Sequence, residues 1–172
     1  MATGTRPTRV SEEAIPGISN AIDSDDVFFL KELPKKTVVI GGKLHLYKQK
    51  FLLSLIKAGY IAMETACFLA GLGSSVSVVV RSKILRSFDD QVVRQLEENL
   101  EQNENMNILN KAQVKEIKKN DDGTMEVCVH SEGQSEKILS GVDCVVLAIG
   151  RDFNPKHIGL DSVKEVVINQ RR

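Results

Sequence analysis

The chain has 172 residues, with 23 lysines and arginines balanced by 23 aspartates and glutamates, so its formal net charge is zero. This length allows one well-buried domain, and the absence of a long block of one charge argues against a nucleic-acid or membrane partner. No apolar run approaches the length of a bilayer span, and no signal peptide is recognisable. The sequence therefore predicts an intracellular protein, either cytoplasmic or mitochondrial.

The first 33 residues have the composition of a connector. Residues 2–4 look like the end of a strand that belongs to another domain, residues 15–17 carry turn chemistry, and Ser24 is placed to cap a short helical turn. We therefore assign residues 1–33 to the remnant of a preceding domain and its link to the domain that follows.

A strand, a turn, a helix and a second strand come next. Apolar, β-branched runs at residues 37–40 and 75–80 have the pattern of buried parallel strands, and the first run ends at Gly41 and Gly42. From Gly59 the sequence has helical period. Ile61, Thr65, Phe68 and Leu72 share one helical face, beside a stripe of Ala62, Ala66 and Ala70 that lets the helix lie close on a sheet. Such a βαβ unit points the first amides of its helix at a diphosphate.

Residues 43–58, KLHLYKQKFLLSLIKA, interrupt this unit between the strand and the helix. If Gly42 is encoded by GGT and Lys43 by AAG, the DNA contains GTAAG, a usual intron donor, and the codons of Lys57 and Ala58 can supply a terminal AG. Splicing would then leave VVIGAGYIAMETA in frame, so we interpret the segment as an unspliced intron. The alternative is a genuine lysine-rich amphipathic insertion for a membrane or partner. As translated, it is expected to extend or precede the helix and to displace the helix amides from the phosphate, so nucleotide binding is expected to be weak or absent.

The rest of the chain completes an α/β pattern. The predicted elements are a helix from about residue 87 to 102, a third parallel strand at 106–109, an antiparallel meander over 112–139 and a buried strand at 143–149. Ser87 and Asp90 form a capping-box-like start for the helix, whose buried residues are predicted to be Val92, Leu96 and Leu100. We predict an α/β, Rossmann-type three-layer NAD(P)-binding domain with a parallel sheet plus an antiparallel β-meander, spanning residues 34–151.

The residues after the second strand predict which dinucleotide is bound. Domains that select NAD place a carboxylate there for the ribose 2′-hydroxyl, but here Val80 is followed by Arg81, Ser82 and then Arg86. Guanidinium groups attract a 2′-phosphate and can bind it through two hydrogen bonds. The predicted cofactor is therefore NADPH.

Several motifs in this order resemble the FAD- and NADPH-dependent disulfide reductases, the family of glutathione reductase and high-molecular-weight thioredoxin reductase. They are ATGTRP at 2–7, IPG at 15–17, SDD at 24–26, VVIGG with GYIAMETA, VVVRSKILRSFD at 78–89 and VLAIGRD at 146–152. The resemblance implies an NADPH-binding domain, with residues 152–172 beginning the return to an FAD domain. Only marginal FAD contacts are implied here, near Ala2, Thr3 and Gly4.

The resemblance also implies roles for individual residues. Tyr60 would be an aromatic gate over the nicotinamide pocket, Glu64 a polar contact near the nicotinamide amide, and Gly150 a close neighbour of the dinucleotide. The predicted cofactor-binding residues are Gly41, Gly42, Gly59, Tyr60, Ile61, Ala62, Glu64, Arg81, Ser82, Arg86 and Gly150. Read without the family, Tyr60 is equally a core residue and Glu64 a solvated charge.

The implied reaction passes electrons from NADPH to FAD, then to a protein dithiol, and finally to thioredoxin or glutathione disulfide. The dithiol, the catalytic histidine and the homodimerisation domain of the family have no counterpart here, so we expect this chain to have no disulfide reductase activity alone. A non-catalytic NADPH-binding module remains an alternative. VRS at 80–82, the spacing from Arg81 to Arg86 and AIGRD are similar to thioredoxin reductases, whereas ELP at 32–34 and RSFD at 86–89 are similar to glutathione reductases.

The cysteines and histidines form no recognisable site in the sequence. Cys67, Cys128 and Cys144 are far apart and are interpreted as buried thiols without a redox partner. The histidines are interpreted as structural or surface residues, and no metal site is predicted. They are His45, His130 and His157.

Overall fold

The computed structural model describes residues 4–42, 59–131, 133, 135–152 and 159. Residues 2 and 3, the interrupting segment 43–58, and His157 therefore lie outside the described residues. The strands are β1 (Arg6–Pro7), β2 (Ile22–Asp23), β3 (Lys36–Gly41), β4 (Ser75–Val80), β5 (Met106–Asn110), β6 (Ala112–Lys119), β7 (Met125–Ser131), β8 (Lys137–Val142), β9 (Cys144–Ala148) and β10 (Arg151–Asp152). The helices are α1 (Tyr60–Gly71) and α2 (Asp90–Glu101), with short 3₁₀ helices at Ile18–Asn20 and Asp26–Phe29.

A five-stranded parallel sheet forms the centre of the domain, in the order β2-β9-β3-β4-β5. Alternate residues of a strand point to opposite faces, so Val39 packs with the helices while its neighbour Val38 packs with the other layer. Both valines are fully buried. Because both faces are covered, the strands are continuous apolar runs rather than alternating ones.

The antiparallel meander of β6, β7 and β8 covers the face opposite the helices. Val127 and Val129 of β7 point into this layer and are buried, as the period of two in the sequence predicts. The layers are thus helices, parallel sheet and meander. The predicted α/β Rossmann-type fold is confirmed.

Helix α1 lies on the sheet through its small residues, as the alanine stripe predicts. Its buried face consists of Ala62, Met63, Thr65, Ala66, Leu69 and Ala70. On the neighbouring face Thr65 is buried, but Phe68 is 36% and Leu72 65% exposed. The small side chains therefore let the helix approach the sheet closely, while the bulkier residues lie toward the solvent.

The start of α2 also differs from its prediction. Asp89, not Ser87, caps the helix, and its carboxylate accepts hydrogen bonds from the amides of Gln91 and Val92 at 2.9 and 3.2 Å. With the helix placed by this cap, Val93 and Leu100 are buried and Val92 is 64% exposed. Ser24 likewise makes no cap, since the 3₁₀ helix Asp26–Phe29 follows Asp25 without a side-chain cap bond.

The connector docks on the meander through the turn at residues 15–17. The amide of Ile117 donates to the carbonyl of Pro16 at 2.9 Å, and Ile15 is fully buried. Gly17 has a φ of 81°, and a Cβ there would lie 1.8 Å from the carbonyl oxygen of Ile117. Only glycine fits this position.

The three cysteines do not share one environment. Cys144 is buried, Cys128 is half-buried and Cys67 is exposed, so the prediction of buried thiols holds only for Cys144. Burial, together with the charge of Asp143, raises the pKa of Cys144 to about 11.

In the described part of the chain, no helix is long and apolar enough to cross a membrane.

Candidate functional site

The carboxyl end of β3 lies at the point where the strand order reverses. From β3 the chain crosses to β4 and β5 on one side of the sheet, and it later returns to β9 on the other side. Gly41 at the end of β3 is paired with Val80 of β4 and with Ala148 of β9. In open α/β sheets, ligands bind in the crevice outside the strand ends at such a point.

Glycine permits the close contact between β3 and α1 at this crevice. A Cβ on Gly41 would lie 3.0 Å from the Cβ of Ala62, so the strand end and the first helical turn are already in contact. Gly41, Gly59 and Ala62 line one small pocket, together with Met63, Val80 and Ile84. The predicted strand, glycine turn and helix are therefore brought together as a unit.

Helix α1 begins at Tyr60, with Gly59 as an extended N-cap (φ −72°, ψ 135°). The first intrahelical bond joins the amide of Ala62 to the carbonyl of Gly59 at 2.9 Å, so the preceding amides have no partner within the helix and face its N-terminal side. These amides and the helix dipole favour an anion. Segment 43–58 lies outside the described residues, so the expectation that it extends or precedes the helix and displaces the helix amides from the phosphate stays a prediction.

An open cleft of about 300 Å³ lies between the ends of β3 and β4 and the meander. Its lining consists of Ile15, Ile40, Gly41, Gly42, Val79, Arg81, Ala112, Gln113 and Val114. Gly42 is buried, with a φ of 93° that favours glycine. The cleft thus combines an apolar floor, a glycine edge and the cation of Arg81.

The predicted arginines stand on a loop that is anchored to the core. Ile84 of this loop is 1% exposed, whereas Arg81 and Arg86 are exposed. The carbonyl of Ser82, which is half-buried, accepts a hydrogen bond from the amide of Lys111 at 3.2 Å, which ties the loop to the end of β5. The structure therefore places Arg81 in the cleft lining and Arg86 farther along an anchored loop.

Tyr60 and Glu64 lie one turn apart on the solvent-facing side of α1, and Tyr60 is 50% exposed. Ile61 between them is half-buried against the core. Gly150 follows β9 with a φ of 134°, and its carbonyl accepts a hydrogen bond from the amide of Thr8 at 2.9 Å. Because β9 is next to β3, Gly150 and the start of α1 belong to the same edge of the sheet.

Six of the nine lining residues of the cleft were not among the predicted site residues, and Ile15 and Gln113 are two of them. Ile15 comes from the connector and Gln113 from the start of β6. Both reach the cleft only because the connector and the meander pack on the same face of the parallel sheet. No local pattern in the sequence signals this contact.

The described residues form a Rossmann-type α/β domain, with a glycine turn at Gly41 and Gly42 and a cationic loop at residues 81–86. The family model of the pyridine nucleotide-disulphide oxidoreductases matches residues 57–134, a little under half of the chain. The match supports that family, whose members bind FAD and NAD(P). It begins at the end of the interrupting segment and covers α1 through β7, so it includes the cationic loop but not β3.

Proposed function

We propose that this chain carries the NADPH-binding domain of a flavoprotein disulfide reductase. The observation that supports this most directly is the placement of Arg81 in a cleft beside the glycine turn, at the reversal of the strand order. When bound, NADPH would supply hydride to a flavin, and the electrons would pass on to a dithiol and a disulfide substrate. The protein's part is to bind and orient the dinucleotide.

The glycine turn would hold the diphosphate. Gly41 has no side chain to fill the approach to α1, and Gly42 adopts a backbone conformation that favours glycine. The amides that precede Ala62 point out of the helix toward this approach. Backbone donors together with the helix dipole suit a diphosphate of two negative charges.

Arg81 and Arg86 would select the 2′-phosphate of NADPH. The last residue of β4 is Val80, and an arginine rather than a carboxylate follows it. Hydrogen bonds between a guanidinium and a phosphate are charge-assisted and can be bidentate. Ser82 would add a polar group on the same loop, which Ile84 anchors in the core.

Tyr60, Glu64 and Gly150 would form the nicotinamide end. Tyr60 and Glu64 share the solvent-facing side of α1, where an acceptor carried by another domain would approach. The exposure of Tyr60 fits a ring that moves aside when the nicotinamide enters.

The two ends of the domain support its place within a larger enzyme. β1 and β10 pair antiparallel, with Arg6 opposite Asp152, so the segments that enter and leave the domain run side by side. This arrangement suits a domain with two links to an FAD domain, residues 1–33 on one side and 152–172 on the other. In that enzyme, a homodimer in the cytoplasm or mitochondrion, thioredoxin or glutathione disulfide would be the final acceptor. The VRS and AIGRD motifs favour the thioredoxin branch.

Titration of the full chain with NADPH and NADH tests this proposal. We expect NADPH to bind more tightly by about 1–3 kcal/mol, and we expect the double variant Arg81→Ala, Arg86→Ala to lose this preference while it still binds NADH. Arg94→Ala is the matched control, since Arg94 is an exposed arginine on α2 whose side chain bonds the carbonyl of Asp90. Equal affinities of the parent chain for the two nucleotides would contradict the proposal.

A further inference from the structure

The side chain of Arg151 connects β10 with the segments that contain Thr5 and Asp25, beside the proposed nicotinamide end. Its guanidinium donates to the side chain and the carbonyl of Thr5, both at 2.9 Å. It also donates to both carboxylate oxygens of Asp25, at 2.5 and 3.4 Å. The side chain of Arg151 is 29% exposed, so these charge-assisted bonds are partly shielded from water.

The backbone at Arg151 and at its neighbour Gly150 makes two further contacts. Pro7 lies opposite Arg151 in the β1–β10 ribbon, and the amide of Thr8 bonds the carbonyl of Gly150. Gly150 follows β9, whose residue Ala148 is paired with Gly41 at the glycine turn. A displacement of Arg151 would therefore be transmitted to the strand end beside the proposed dinucleotide.

We infer that Arg151 is a positioning residue for the nicotinamide end of the site: by tying Thr5 and Asp25 to the end of β9, it fixes Gly150 relative to the glycine turn. This inference rests on the proposed function. The planar fork of arginine matches the two oxygens of Asp25 and still reaches Thr5, a geometry that the single ammonium of lysine does not reproduce. In the proposed function, the adenosine end is held instead by Arg81, on the loop after β4.

The test compares two probes in the full chain: NADPH, and 2′,5′-ADP, which carries the adenosine and its 2′-phosphate but no nicotinamide. In Arg151→Lys and in Asp25→Asn, the Kd for NADPH should rise about fivefold or more, while the Kd for 2′,5′-ADP should stay within about twofold. Two variants on opposite sides of the ion pair keep the test valid if one of them does not fold. Thermal unfolding of each variant is measured alongside.

Arg9→Lys is the matched control. Arg9 also pairs with a carboxylate of the connector, Asp23, at 2.8 Å, but its side chain is 76% exposed. Both Kd values should stay unchanged in this control, because no hydrogen bond of Arg9 reaches the β1–β10 ribbon within the described residues.

Each outcome decides the inference. A purely structural role of Arg151 would weaken both probes equally or change neither, and either result would overturn the inference. If the parent bound 2′,5′-ADP as tightly as NADPH, the nicotinamide end would add no affinity, and the inference would fail while the proposed function stood. If the parent bound neither probe, the proposed function would fail first and the inference with it.

Discussion

Replacement of Gly41 by alanine tests whether the contact between β3 and α1 sets the geometry of the phosphate turn. The added Cβ would lie 3.0 Å from the Cβ of Ala62 and 3.8 Å from the carbonyl oxygen of Val79. Ala62 is part of a helix rather than the end of a flexible side chain. The start of α1 must therefore shift by a few tenths of an ångström.

This shift should lower both the free energy of unfolding and the affinity for NADPH. Overpacking of a well-packed interior costs about 1–3 kcal/mol of unfolding free energy. The helix amides would also move relative to the diphosphate, and each hydrogen bond to such a charged group contributes about 1.5–3 kcal/mol. A partial loss of about 1 kcal/mol corresponds to a rise of about fivefold in the Kd for NADPH.

Urea denaturation and NADPH titration measure the two effects. Gly71→Ala is the control: it makes the same substitution at the last residue of α1, where nothing lies within 4 Å of the added Cβ. That control should gain up to about 1 kcal/mol, because alanine favours a helix over glycine, and should bind NADPH unchanged. Ala62→Gly added to Gly41→Ala should remove the contact and restore the affinity. An unchanged Kd and an unchanged free energy of unfolding in Gly41→Ala would refute this reasoning.

Two further predictions concern the interrupting segment and the connector. Deletion of residues 43–58 with Gly42→Ala should raise the free energy of unfolding by about 2 kcal/mol, because a shorter loop closes at a lower entropy cost. It should also restore full NADPH binding, because the translated segment is expected to displace the helix amides from the diphosphate. Gly41 and Gly59 already line one pocket, so the ends can be joined; a deletion that keeps Gly42 is the control, and failure of both to fold would contradict the prediction. Burial raises the pKa of Asp23, but the hydrogen bonds from Asp26, Arg9 and Asp25 outweigh burial and hold that pKa below its ordinary value. A lowered carboxyl pKa stabilises the fold above the ordinary value, and this contribution is lost as the pH falls through the folded pKa. Urea denaturation below about pH 4 should therefore show a steeper loss of stability in the parent than in Asp23→Asn, and parallel profiles would contradict this.

The sequence by itself determined the order and type of the main elements. The strands predicted at residues 37–40 and 75–80 carry apolar, β-branched side chains on both faces. This composition is typical of a parallel strand that is covered on both sides. The alternation in β7 likewise predicted a strand covered on one face. The sequence also predicted the cationic loop at residues 81–86, because the choice of nucleotide depends on side chains at a fixed place in the βαβ unit.

Only the tertiary structure decided which side chain caps α2 and which of its valines is buried. The sequence offers Ser87 as well as Asp89 as a cap, and the packed helix buries Val93 rather than Val92. The cluster at Arg151 depends still more on the fold, since it joins residues 126 and 146 positions apart. No local pattern encodes such a contact, because it exists only once the parallel sheet has brought the end of β9 beside the connector.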